Sequence, residues 1–217
     1  PNPKTLDKRV TTIPKSRLEA ISDGIFAIAM TIIVLELKVP DEPEFGLGSE
    51  KIFQFLYSIL PKVETYSLSF IIAGVFWMRH QLQFMHIKGV DRAIITINLI
   101  FLLFVTFIPF STGFVMDFPN TEIPFLIYGF NLWTISMMLV INWLYVTRNK
   151  MLMLDTLTDK EIREFTILTY VAPVIFTIAI VFSLINVRIA TFMLYLEPTF
   201  YIFFRTVKKV NKVIKDV

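Results

Sequence analysis

Six stretches of this chain are each apolar over about the 20 residues that a helix needs to cross a hydrocarbon core roughly 30 Å thick. They run from about Leu18 to Val39, Ile52 to Phe84, Ala93 to Phe114, Ile123 to Val146, Phe165 to Ile185 and Ile189 to Val207. Inside a bilayer the backbone must satisfy its own hydrogen bonds, and a helix does so within one segment. The pattern predicts an all-α protein, a six-transmembrane-helix bundle forming a single domain over residues 1–217. Composition agrees, because 55% of the residues are hydrophobic and only 18% are charged, where soluble domains carry about a quarter. Too little polar surface remains to cover a soluble globule of this size. With no Cys and two His, disulfide scaffolds, zinc–cysteine sites and cysteine nucleophiles are excluded.

The punctuation between the spans is short. Pro40, Asp41, Glu42 and Pro43 stop the first. The second carries Pro61, Lys62 and Glu64 in its first half, which predicts a kink or an extension beyond the bilayer. Pro119 and Asn120 mark one turn, Asn186 and Arg188 another. Thr158 with Glu161 three residues on predicts a capping box and hence a helix start.

The net charge is +3. If the N-terminus lies inside, all but four of the 21 Lys and Arg fall on that side, and only Lys38, Lys51, Lys62 and Arg188 lie outside. This bias predicts an even number of spans and a multi-pass protein of the cell membrane with both termini cytoplasmic. The first 16 residues are polar and basic, with no apolar core before a cleavage site. The basic balance is thereby an orientation signal and not a nucleic-acid footprint. The first outer loop is acidic, with Glu36, Asp41, Glu42, Glu44 and Glu50. Loop solubility is the simpler reading, and a mouth that concentrates cations is the alternative.

The first span carries the information. Ser22 and Asp23 sit about a turn and a half inside it, and an intramembrane carboxylate is a functional candidate by default. At 100° per residue one narrow stripe holds Ile21, Gly24, Ile28, Thr31, Ile32 and Leu35, with Asp23 roughly opposite. Ala20 and Gly24 are small residues four apart, a spacing that permits close helix approach. On periodicity alone, helix–helix packing is the stronger reading of the stripe.

The run Arg17-x-x-x-Ile21-Ser22-Asp23-Gly24 resembles the Arg-x-x-x-Phe-Ser-Asp-Gly signature of the transmembrane protein 175 family, the lysosomal potassium channels and their prokaryotic homologues, with Ile21 in place of Phe. Phe26-Ala27-Ile28-Ala29, Leu35-x-Leu37-x-Val39-Pro40 and Phe76-Trp77-Met78-Arg79-His80 resemble the family as well. The resemblance implies a homotetramer whose pore is lined by the first helix of each subunit, passing K⁺ and other monovalent cations passively. It places the apolar constriction on Ile28, Ile32 and Leu35, the same stripe that periodicity isolates, and a hydroxyl layer that ions meet on Thr31. Ala27 stands where some members have Ser. The resemblance also implies an inner network of Arg17, Ser22, Asp23, Trp77, His80 and Asn98 that holds helix one. A ring of Ile and Leu gates by dewetting, and with the resemblance the pore reading overtakes packing.

The alternative is a proton-permeable or proton-coupled transporter working through Asp23, His80 or Glu197. Its scattered Pro61, Pro109, Pro173 and Pro198 do not form the paired interruptions of transporters. An enzyme would need a cofactor or a clustered acid, base or metal site within the spans, and none is legible, so none is expected. A purely structural role would tolerate polar substitution along the stripe. His80 reads as a neutral hydrogen-bonded ring before it reads as a pH sensor. Glu197 reads as a local or lateral pair before it reads as a relay. Ser111-Thr112-Gly113 lacks the second glycine and the pore helix of a carbonyl filter. The tail Lys208, Lys209, Lys212 and Lys215 reads as a positive-inside flank before it reads as a contact for anionic membrane lipid.

Overall fold

The computed structural model describes residues 14–38, 49–154, 157–201 and 203. Helix α1 spans Lys15–Ile32 and tightens into a 3₁₀ turn over Ile33–Glu36. Helix α2 spans Ser49–Met85, α3 Arg92–Thr106, α4 Ile108–Asp117, α5 Glu122–Arg148, α6 Asp159–Ser183 and α7 Val187–Leu194. Residues 196–201 are again helical. Five helical spans are long and apolar enough to cross a membrane among the described residues, namely Lys15–Glu36, Glu50–Met85, Arg92–Asp117, Glu122–Arg148 and Asp159–Ser183. The end of the expected sixth span lies outside the described residues, as do Asp41, Glu42, Glu44 and the Lys208–Lys215 tail.

Three expectations change in detail. The expected third span, Ala93–Phe114, is two helices that meet at Phe107, because Pro109 has no N–H to give and starts α4 within its first turn. Pro61 does not end α2, which runs 37 residues, about 55 Å at 1.5 Å per residue. That exceeds a hydrocarbon core of about 30 Å. The third change concerns the expected fifth span, Phe165–Ile185, which begins earlier at Asp159. Its start is the predicted capping box: the Glu161 N–H donates to Thr158 Oγ1 at 3.3 Å, and the Thr158 N–H donates to Glu161 Oε2 at 2.8 Å.

Helix α5 is the central post. It packs along α6, α3 and α4, while α1 lies on α2 and α3 at the side of the bundle. The main core joins Phe26, Ile33, Ile72, Phe76, Phe101, Val105, Leu132 and Phe176. A second cluster, where the start of α1 meets the end of α2, gathers Leu18, Phe84, Ile87, Ile94, Val146 and Leu152. Two backbone bonds staple the inner loops beneath it, from Lys88 N to Leu152 O at 2.7 Å and from Leu154 N to His86 O at 3.0 Å. The turns fall where expected. Asn120 adopts φ 60°, and the Asn186 side chain caps α7 by accepting from the N–H groups of Arg188 and Ile189.

Candidate pore face on the first helix

Helix α1 has two unlike sides. Leu18, Ser22, Phe26, Ala29 and Ile33 are buried against α2 and α3. The other side is open in the protomer, with Ile28 59%, Ile32 40% and Leu35 69% exposed, and Ile21, Gly24 and Thr31 beside them. The predicted stripe therefore lies within the face of α1 that the described residues of the protomer leave uncovered. Gly24 provides no close approach within the subunit, since a Cβ there would meet nothing within 4 Å. Thr31 Oγ1 donates to Ala27 O and Ile28 O, both at 2.9 Å. Its donor is thus spent on the helix, and the oxygen keeps its acceptor capacity at an exposed position.

The opposite side is anchored by a one-way chain of hydrogen bonds. Ser22 Oγ donates to Leu18 O at 2.8 Å, so it accepts from Asn98 Nδ2 at 3.1 Å. Asn98 Oδ1 is left as an acceptor, and His80 Nε2 at 2.8 Å must be the donor. His80 is stacked against Phe84 at 4.2 Å and Phe101 at 5.2 Å between ring centroids. Its Nδ1 has no hydrogen-bond partner among the described residues. The ring is placed as a structural strut that carries its proton on Nε2.

Asp23 sits on the rim of the open face and reaches α2, where Oδ1 accepts from Trp77 Nε1 at 2.8 Å and from Gln81 Nε2. Gln81 was not legible as a partner, although it stands four residues after Trp77 on the same helix face. Arg17 is exposed and makes no side-chain hydrogen bond or ion pair to the described residues, so within the protomer it stands apart from the other network members. Lys15 Nζ donates to Phe84 O at 2.8 Å and Ile87 O at 3.2 Å, tying the start of α1 to the end of α2.

Two further findings concern residues singled out from sequence. Arg79, counted above among inner-segment charges, is buried in α2. Its Nη1 pairs with Glu197 Oε1 at 2.9 Å, and its Nη2 donates to Leu168 O at 2.7 Å. Glu197 is thus the expected lateral salt bridge. Ser111, Thr112 and Gly113 lie inside α4, where their carbonyls belong to the helix. Gly113 has a packing reason: a Cβ there would fall 2.5 Å from Glu36 Oε2, so the glycine seats the Glu36 carboxylate just beyond Leu35. Among the described residues no group of three or more His, Asp or Glu is placed to hold a metal.

Residues 17–109 match the family described as "Endosomal/lysosomal potassium channel TMEM175". A potassium channel of Chryseobacterium sp. (strain P1-3) is 38% identical over 118 residues, 54% of this chain and 57% of that one. The chain spans about half the length of such bacterial relatives. The Homo sapiens endosomal/lysosomal proton channel TMEM175 is 30% identical over 103 residues, 46% of this chain and 20% of that protein. In structure the chain is similar to a lysosomal potassium-selective channel TMEM175 homologue from Chamaesiphon minutus, with TM-score 0.76 and 24% identity over 87% of this chain and 96% of that one.

Proposed function

We propose that this chain, which belongs to the TMEM175 family, is a potassium-permeable cation channel that conducts passively through a central pore between four copies of itself. The observation that carries this reading is the uncovered face of α1. Ile28, Ile32 and Leu35 are large apolar groups left exposed on a helix whose other side is fixed by buried hydrogen bonds. Four such faces meeting around an axis form an apolar throat, which sheds water when narrow and conducts when the helices spread. The Thr31 oxygens supply partial replacement for the hydration shell of K⁺. Ser22, Asp23, Trp77, His80 and Asn98 hold α1 against the subunit, so that the helix moves as a unit, and Arg17 is left to meet a neighbouring subunit. The protein sits in the cell membrane with both termini cytoplasmic, a reading that the Lys and Arg bias supports. Its partners are its own copies, membrane lipid and monovalent cations. It has no catalytic role and needs no cofactor.

A second reading, proton permeation, is supported by the similarity to the human proton channel. Within this chain it meets an obstacle, because Asp23 is engaged by Trp77 and Gln81 and His80 is sealed between rings. Flux from liposomes under K⁺, Na⁺ and proton gradients separates the two. K⁺ flux exceeding Na⁺ flux supports the channel. Flux under a proton gradient alone replaces it with the second reading.

A further inference from the structure

Away from the α1 face, α2, α6 and the last helical segment enclose a cavity of about 220 Å³. Its walls include Leu82, Leu168, Val171 and Phe200, and its polar groups include Arg79 and Glu197. Arg79 lies six residues before the inner end of α2, about 9 Å along the helix. The cavity therefore sits in the inner part of the spans, within reach of molecules dissolved in that leaflet.

The polar end is unfinished. Glu197 is 2% exposed. One of its oxygens is taken by Arg79 Nη1. The other, Oε2, has no hydrogen-bond donor among the described residues. Arg79 Nη1 and Nη2 are placed on Glu197 Oε1 and Leu168 O, and in this geometry neither nitrogen serves Oε2. Glu197 lines the cavity, and a buried carboxylate oxygen beside it calls for a donor. We infer that this cavity binds a small single-chain amphiphile whose hydroxyl or ammonium head donates to Glu197 Oε2 and whose tail lies against Leu82, Leu168, Val171 and Phe200. At about 30 Å³ for each water-sized group, the volume holds a molecule of about seven non-hydrogen atoms. A carboxylate head is rejected, since it brings a second anion and no proton to Glu197.

The test uses the full chain in phosphatidylcholine nanodiscs and a diazirine analogue of hexan-1-ol, with adducts mapped by mass spectrometry. Labelling is expected to saturate and to fall on the cavity walls. Hexan-1-ol and hexan-1-amine should displace the probe at concentrations about tenfold lower than hexanoate, the value of one charge-assisted hydrogen bond. Glu197→Gln keeps an oxygen for Arg79 and puts an NH₂ where the open oxygen was, so it should reverse this order and favour hexanoate. Val171→Phe should fill the space and abolish the saturable component. Should that variant fail to fold, the reversal by Glu197→Gln still decides. Labelling that never saturates overturns the inference, and so does an order of competitors that Glu197→Gln leaves unchanged. An ordered water in place of an amphiphile gives no saturable adduct and counts against it equally. None of these outcomes depends on whether the chain conducts K⁺.

Discussion

The Arg79–Glu197 pair makes a prediction whose sign reverses between single and double variants. Both groups are buried and joined at 2.9 Å. Removing one partner of a buried pair costs about 3–5 kcal/mol because the survivor keeps its charge without compensation. Glu197→Leu leaves Arg79 with its bond to Leu168 O, which puts the loss near the lower figure, about 3 kcal/mol. Arg79→Leu leaves Glu197 with neither oxygen satisfied by a donor among the described residues, which puts the loss near the upper figure, about 5 kcal/mol. For a chain of this size each kcal/mol is worth roughly 2–4 °C in Tm, so the single variants should melt about 6–20 °C lower. The double variant Arg79→Leu/Glu197→Leu places two aliphatic groups in an apolar setting and should return to within about 1 kcal/mol of the parent. Thermal unfolding of the four proteins in one detergent, read by tryptophan fluorescence, gives the coupling energy. Losses that simply add in the double variant would refute the pairing argument.

Three other outcomes follow from the geometry. Asn98→Leu strips His80 of its acceptor and Ser22 of its donor, costing about 1–3 kcal/mol, which the same melts would show as a drop of several degrees. Gly113→Ala pushes aside the flexible end of Glu36 without touching backbone; the fold should survive while K⁺ flux falls at low ionic strength and recovers in concentrated salt, where fixed charge is screened. His86, just past the end of α2, rests edge-on against Trp143 and Phe165. Burial lowers its pKa below the ordinary 6.5, Glu161 opposes the shift and Lys15 adds to it. The folded state thus favours the neutral ring, and its contribution to stability is full above about pH 6.5 and is lost as the pH falls below that value. Melting curves for His86→Phe between pH 8 and pH 5 should lose that part of the acid sensitivity.

Much of the fold is legible because the membrane imposes a length that apolar runs either meet or miss. Local chemistry is equally legible: the Thr158–Glu161 box needs only four residues of sequence. Contacts between distant segments are not. Arg79 and Glu197 stand 118 residues apart, and a charge count assigns Arg79 to the cytoplasm when its partner keeps it inside the bundle. The break at Phe107 hides within an apolar run, where Pro109 starts a new helix without any polar signal. On α1 the periodicity separates an anchored side from an open one. It does not say that Gln81 joins Trp77 on Asp23, or that Arg17 makes no side-chain bond to the other described residues. Those depend on how α1 is rotated against α2, which packing of Phe26 and Ile33 decides.

The absence of any Cys in the chain permits the most direct test of the pore face. Single variants Thr31→Cys and Ile33→Cys are two residues apart, but Thr31 is exposed and Ile33 is fully buried. A charged, membrane-impermeant thiol reagent applied during K⁺ flux from liposomes should block the Thr31→Cys protein and leave Ile33→Cys unchanged. Continued K⁺ flux through a Thr31→Cys protein, or equal block of both variants, would contradict a conduction path lined by helix one.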